Sequence, residues 1–175
     1  MIFHELDIPG AYLLEPERKE DRRGFFARTY CRHELEERGL DPAVVQCNIS
    51  VNRFRGTVRG MHWQAEPHPE VKLVRCTAGA IHDVILDLRP DSPTFKQHLG
   101  VDLDADNRLS LYIPKGLAHG FQSLEDDTEV FYQMSEFYHP ELARGVRWND
   151  PAFSVSWPLE VTEISEKDLG FPDFE

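Results

Sequence analysis

The sequence predicts an all-β domain, either a sandwich or a barrel. Three observations carry that expectation. Strand-like runs recur along the chain, separated by turn signals at intervals of roughly 8–12 residues. Only one early stretch has convincing helical character, and it is short. No repeat, low-complexity tract or linker divides the 175 residues, so a single domain spanning 1–175 accounts for them.

In chain order, 12–15 (YLLE) and 24–30 (GFFARTY) read as the first strands. The run 32–38 (RHELEER) reads as a helix that stops at Gly39, the usual residue past a helix end. Strands are then expected at 44–52, 71–76 and 80–88. Within the last, DVILDL mixes apolar and acidic positions, as a half-buried strand does. Further strands are expected at 98–103, 110–113, 120–124 and 129–137, with turns at 90–93 (PDSP), 104–107 (DADN) and 125–127 (EDD). Near the end, Ser165 is placed to cap a helical turn running to Asp168. Trp148 and Trp157 read as packing residues.

Composition bounds the function. Hydrophobic content of 41% and charged content of 29% belong to an ordinary globular chain. A formal charge of −12 argues against a nucleic-acid partner. No apolar run reaches the length of a membrane span, and the N-terminus lacks the pattern of a signal peptide, so a cytoplasmic protein without a membrane partner is expected. The odd set Cys31, Cys47 and Cys76 reads as free thiols, mostly buried. Against the acidic background, Arg22, Arg23, Arg28, Arg32, Arg53, Arg55 and Arg59 fall in two segments with few acids, which suits a pocket for a small anion such as a diphosphate.

The stretch 53–72 (RFRGTVRGMHWQAEPHPEVK) and the later 114–121 (PKGLAHGF) carry the chemistry. Gly56 precedes His62 by six positions, and Pro114, Gly116 and His119 follow a second fixed spacing. The two motifs resemble the halves of a cupin barrel site, Gly-x5-His-x-His and Pro-x-Gly-x2-His. Gln64 stands where the second histidine would be, and no acid occupies a clear third-ligand position. Two imidazoles and an amide make a poor divalent site, so neither a metal nor another cofactor is expected. Lys72 lies in the apolar run 71–74, where a lysine needs a reason to face inward.

Beyond those motifs, the segments 73–95, 111–138 and 147–158, with Gly24-Phe25-Phe26 and Arg59-Gly60-Met61-His62-Trp63-Gln64, resemble the dTDP-4-dehydrorhamnose 3,5-epimerase family of metal-free cupins. The likeness runs from about residue 8 to 173. It implies a cupin-type jelly-roll barrel with a few short peripheral helices, acting on a nucleotide-linked 4-keto-6-deoxyhexose. It further implies His62 as base, Asp168 as its partner, Lys72 near the keto oxygen and Tyr132 as proton donor on the opposite sugar face. By the same resemblance, Arg23, Gln46, Asn48, Arg59, His119, Tyr138 and Lys167 contact nucleotide or sugar. Phe26 is suited to stack on the base, and Gln64 completes the substrate-contacting set. A homodimer is implied, with the segment 1–30 reaching the partner's pocket and 159–175 closing the site.

These residue types fit the reaction. C3 and C5 both flank the C4 carbonyl, so a base can remove either hydrogen to give an enolate. Imidazole has a reference pKa near about 6.5, suited to that task. A lysine cation near O4 would stabilise the developing charge. A 3,4-ketoisomerase or a non-catalytic sugar-nucleotide-binding module would use overlapping residues. Two departures from the family bear on the nucleotide. Arg28 stands where a base-contacting Glu is typical, and Ala143, followed by Arg144, stands at a second such position. An arginine can donate to cytosine N3, whereas a carboxylate accepts from thymine N3–H, so CDP competes with dTDP as the carrier.

Overall fold

Alternating inward and outward side chains build nearly the whole molecule. The computed structural model describes residues 1–174. Thirteen strands run in order: β1 Ile2–Glu5, β2 Tyr12–Glu15, β3 Lys19–Asp21, β4 Gly24–Phe26, β5 Gln46–Asn52, β6 Val58–Gln64, β7 Lys72–Ala78, β8 Ala80–Asp87, β9 His98–Asp104, β10 Ser110–Ile113, β11 Leu117–Ser123, β12 Thr128–Met134 and β13 Ala143–Gly145. Two short helices, α1 (Arg32–Glu36) and α2 (Glu166–Leu169), and one 3-10 turn, Pro140–Leu142, lie at the periphery.

The strands form a six-stranded sheet, β1-β2-β10-β7-β12-β5, facing a five-stranded sheet, β13-β6-β11-β8-β9; β3 and β4 make a separate hairpin. Every strand pairing is antiparallel. This is the jelly-roll arrangement. Between the sheets, Val74, Leu111, Ile113 and Val130 from one meet Ile81, Ile85, Leu103, Leu117 and Phe121 from the other. That apolar fill closes one end of the barrel. Toward the other end the inward positions become polar: Lys72 continues the row of Val74 on β7, and Tyr132 that of Val130 on β12.

Several elements differ from the sequence reading. β6, which carries His62, is not among the expected strands: Gly56 precedes it, and Arg59 and Gly60 within it break the strand pattern. The strand expected over 24–30 ends at Phe26, where the chain leaves the β3–β4 hairpin. The strand 80–88 is buried on both faces rather than one: Val84 and Leu86 pack with Met61, Val146 and Phe153. The segment after β13 folds over the outer face of the five-stranded sheet and removes it from water. Within that cover Trp157 donates its ring N–H to the Trp148 carbonyl at 2.8 Å. The helix begins at Arg32 as expected and ends two residues early, with Gly39 at φ +69° completing the stop. Cys47 is exposed on the edge strand β5; among the three free cysteines only Cys76 is buried, and burial pushes its thiol up to about 11. Among the described residues, no helix is long and apolar enough to cross a membrane.

Candidate active site

The two cupin half-motifs meet as cross-strand neighbours, because β6 and β11 pair with His62 opposite His119. Beyond this pair the register shifts between His119 and Phe121. An unbroken strand would send Arg59 and His62, three residues apart, to opposite faces. With the irregularity both line the same cavity. Gly60 sits at the crossing with φ +125°, and a Cβ there would lie 2.5 Å from the Gly120 Cα. The glycine between Arg59 and Met61 therefore lets the two strands approach.

His62 Nε2 lies 2.6 Å from Asp168 Oδ1. Asp168 is 4% exposed. Its second oxygen accepts from the Gly60 amide at 3.3 Å, and its own amide donates to Ser165 Oγ at 3.1 Å, the cap expected from the sequence. Burial by itself would push the Asp168 carboxyl up; the His62 ring, the Gly60 amide and Ser165 outweigh it and hold the group below the usual carboxylate value. The aspartate thus stays ionised and fixes which imidazole nitrogen carries hydrogen. Phe171 packs edge-on to the His62 ring, centroids 5.9 Å apart, and lies over the bare backbone of Gly145.

His119 has a dyad of its own. Its Nε2 lies 3.0 Å from Asp83 Oδ2, and Asp83 is fully buried on β8. This contact of Asp83 with His119 was missed in the sequence reading, since a strand acid among apolar neighbours looked like part of an amphipathic pattern. Lys72 is buried, donates to the His62 carbonyl at 3.0 Å and pairs with Glu70 Oε1 at 3.1 Å. Glu70 was also missed. Tyr132 faces inward from the opposite sheet, and burial pushes its phenol up despite the Arg59 charge nearby.

These groups surround a cavity of about 500 Å³, walled by Arg59, His62, Lys72, His119, Tyr132 and Asp168 among others. A second recess of about 350 Å³ is lined by Gln46, Asn48, Gln64, Tyr138, Ala143 and Arg144, with further residues. His62, Lys72, Tyr132 and Lys167 line both, so the two form one elongated site. Arg59 is oriented by Asn52 Oδ1 at 2.7 Å. Gln64 borders the recess, but its amide is engaged with backbone: it donates to the His68 and Phe137 carbonyls at 2.6 and 3.0 Å and accepts from the His139 amide at 2.8 Å.

Three expected residues are not in this cavity. Arg23 pairs with Asp21 on the exposed β3–β4 hairpin, and Phe26 beside it is 71% exposed. Arg28, expected near the nucleotide base, instead pairs with Glu34 at 2.7 Å, an acid that also holds the N-terminal amine.

Fold and side chains define a class: a cupin barrel whose inner wall holds histidine–aspartate dyads, a buried lysine and a tyrosine. The comparisons give the family. Its model, described as dTDP-4-dehydrorhamnose 3,5-epimerase, matches residues 5–175, and the chain belongs to that family of isomerases. A dTDP-4-dehydrorhamnose 3,5-epimerase of Methanothermobacter thermautotrophicus is 43% identical over 169 residues, covering 95% of this chain and 90% of that protein. The crystal structure of the Bacillus anthracis enzyme, with TDP and pyrophosphate bound, superimposes with a TM-score of 0.95 at 43% identity, covering 99% of both chains. That of the Elizabethkingia anophelis enzyme gives 0.96 at 37% identity, over 99% of this chain and 96% of the other.

Proposed function

We propose that this protein inverts C3 and C5 of a dTDP-linked 4-keto-6-deoxyhexose by successive proton abstraction and return through an enolate. The observation that carries this reading is the 2.6 Å His62–Asp168 dyad opening on a cavity whose facing wall bears Tyr132. His62 takes the hydrogen α to the C4 ketone, and the ionised Asp168 stabilises the imidazolium that forms. Lys72 offers its cation to O4 as negative charge develops. Tyr132, on the opposite sheet, returns a proton to the other face, and inversion follows because acid and base flank the carbon. Its raised pKa keeps the phenol protonated for that role.

The larger cavity suits the sugar. The recess suits the nucleotide: Tyr138 provides an aromatic surface, Gln46 and Asn48 provide hydrogen bonds, and Arg59 with Lys167 provide charge for the diphosphate. The exposed hairpin bearing Arg23 and Phe26 fits a homodimer in which it reaches the partner's recess. The apolar outward face of β5, with Ile49 at 62% and Val51 at 51% exposure, fits the same assembly.

The test is proton NMR in D2O with dTDP-4-keto-6-deoxyglucose, with the CDP analogue as competitor carrier. Loss of the C3 and C5 proton signals that disappears in His62→Ala is expected. No exchange with either carrier, in folded protein, would overturn the assignment.

A further inference from the structure

We propose that His68, Glu136 and His139 form a binding site for a zinc-class divalent cation at the rim of the nucleotide recess, apart from the proton-transfer centre. One donor atom from each lies within 4.8 Å of the other two. The His68 and His139 rings stack nearly parallel, with centroids 4.3 Å apart and planes at 11°. His68 Nδ1 faces Glu136 Oε2 at 3.4 Å, too long to be a strong hydrogen bond. Two imidazoles and one carboxylate are the donor set of three-ligand zinc sites, which keep a fourth position for water or a ligand oxygen.

The surroundings hold these donors in place. Glu136 Oε1 accepts from the Phe137 amide at 2.8 Å, which orients the carboxylate and leaves Oε2 directed at the rings. This is how outer hydrogen bonds orient a ligating carboxylate. His139 Nδ1 has Glu141 Oε1 at 3.3 Å, a fourth potential donor atom beside the trio. Gln64 joins the two loops from beneath: it donates to the His68 and Phe137 carbonyls and accepts from the His139 amide. Gln64 is only 5% exposed. The residue that replaces a barrel-interior ligand of cupins thus braces the backbone of His68 and His139, and of Phe137 beside Glu136, at the rim. Ligand atoms around tetrahedral zinc stand about 3.3 Å apart for bonds of about 2.0 Å. Binding would require the rings, 44% exposed for His68 and 30% for His139, to turn out of their parallel stack so that their in-plane lone pairs converge on one ion. Glu136 also lines the recess, so an ion here would present its open position beside the nucleotide.

Chelator-stripped protein, titrated with Zn²⁺ against a chromophoric chelator and with Co²⁺ by visible absorption, tests the site. One ion per chain and a tetrahedral Co²⁺ spectrum are expected. Affinity should fall about a hundredfold in the His68→Ala/His139→Ala double variant and at least tenfold in Glu136→Gln. It should be unchanged in His62→Ala, which removes the barrel imidazole, and circular dichroism should show all variants folded. The proposal is overturned by absence of stoichiometric binding, by binding that survives in the double variant, or by binding lost in His62→Ala instead.

Discussion

Replacing Asp168 with asparagine is the sharpest probe of the catalytic assignment. The substitution keeps size and most packing but removes the charge 2.6 Å from His62 Nε2. When His62 takes a proton, the new imidazolium and the carboxylate have charge centres about 4 Å apart; at an effective dielectric of about 20 their attraction is worth about 4 kcal/mol. At about 1.4 kcal/mol per tenfold in rate, that is about a thousandfold. The His62 side chain is 39% exposed, so solvent screening reduces the figure to about a hundred- to a thousandfold. Asparagine also allows the wrong tautomer, since its amide can donate to the nitrogen that should carry the hydrogen. The assay is the initial rate of C3 and C5 proton exchange in D2O at saturating dTDP-4-keto-6-deoxyglucose. The expected result is a loss of that size in kcat with little change in KM. A variant within tenfold of the parent would refute the role of Asp168 as the charge partner of a catalytic His62.

Other expected outcomes follow the same logic. Tyr132→Phe should retain exchange of the abstracted proton with solvent but lose about a hundredfold in net epimerisation, read by comparing deuterium incorporation with product formation; equal loss of both would remove Tyr132 from the acid role. Because the Tyr132 pKa is raised above its ordinary 10.0, ionisation of this group should depress activity only above pH 10, and an alkaline limb that moved in Tyr132→Phe from below that point would contradict it. The Asp168 pKa is lowered below 3.8, so its contribution to stability is present above about pH 4 and disappears as pH falls through the lower folded value. The melting-temperature gap between parent and Asp168→Asn should accordingly shrink in acid. Gly60→Ala should cost about 3 kcal/mol, since Gly60 itself has φ +125° and a Cβ there would lie 2.5 Å from the Gly120 Cα; thermal denaturation should show a drop of about 6–12 °C.

Much of this molecule was legible in its sequence because strand periodicity and turn chemistry are local. The run 110–113 became a strand with unchanged bounds, and Ser165 and Gly39 acted as helix start and stop, because capping depends on residues a few positions away. The two histidine motifs were equally readable, being short fixed spacings from a turn into the strand that follows it.

Tertiary structure alone decided the rest, because contacts across more than a few residues leave no periodic trace. Asp83 looked like one acid of a half-buried strand until β11 laid His119 against it. His68 and His139, 71 positions apart, stack because β6, β12 and Gln64 bring their loops together. Arg28 was drawn from its expected place by Glu34 and the N-terminal amine, a competition no local pattern encodes. The sequence by itself determined most of the strands, where the helices start, and the kinds of group gathered at the site. Only packing determined which acid faces which base, since that depends on the register between strands that are neighbours in space and not in the chain.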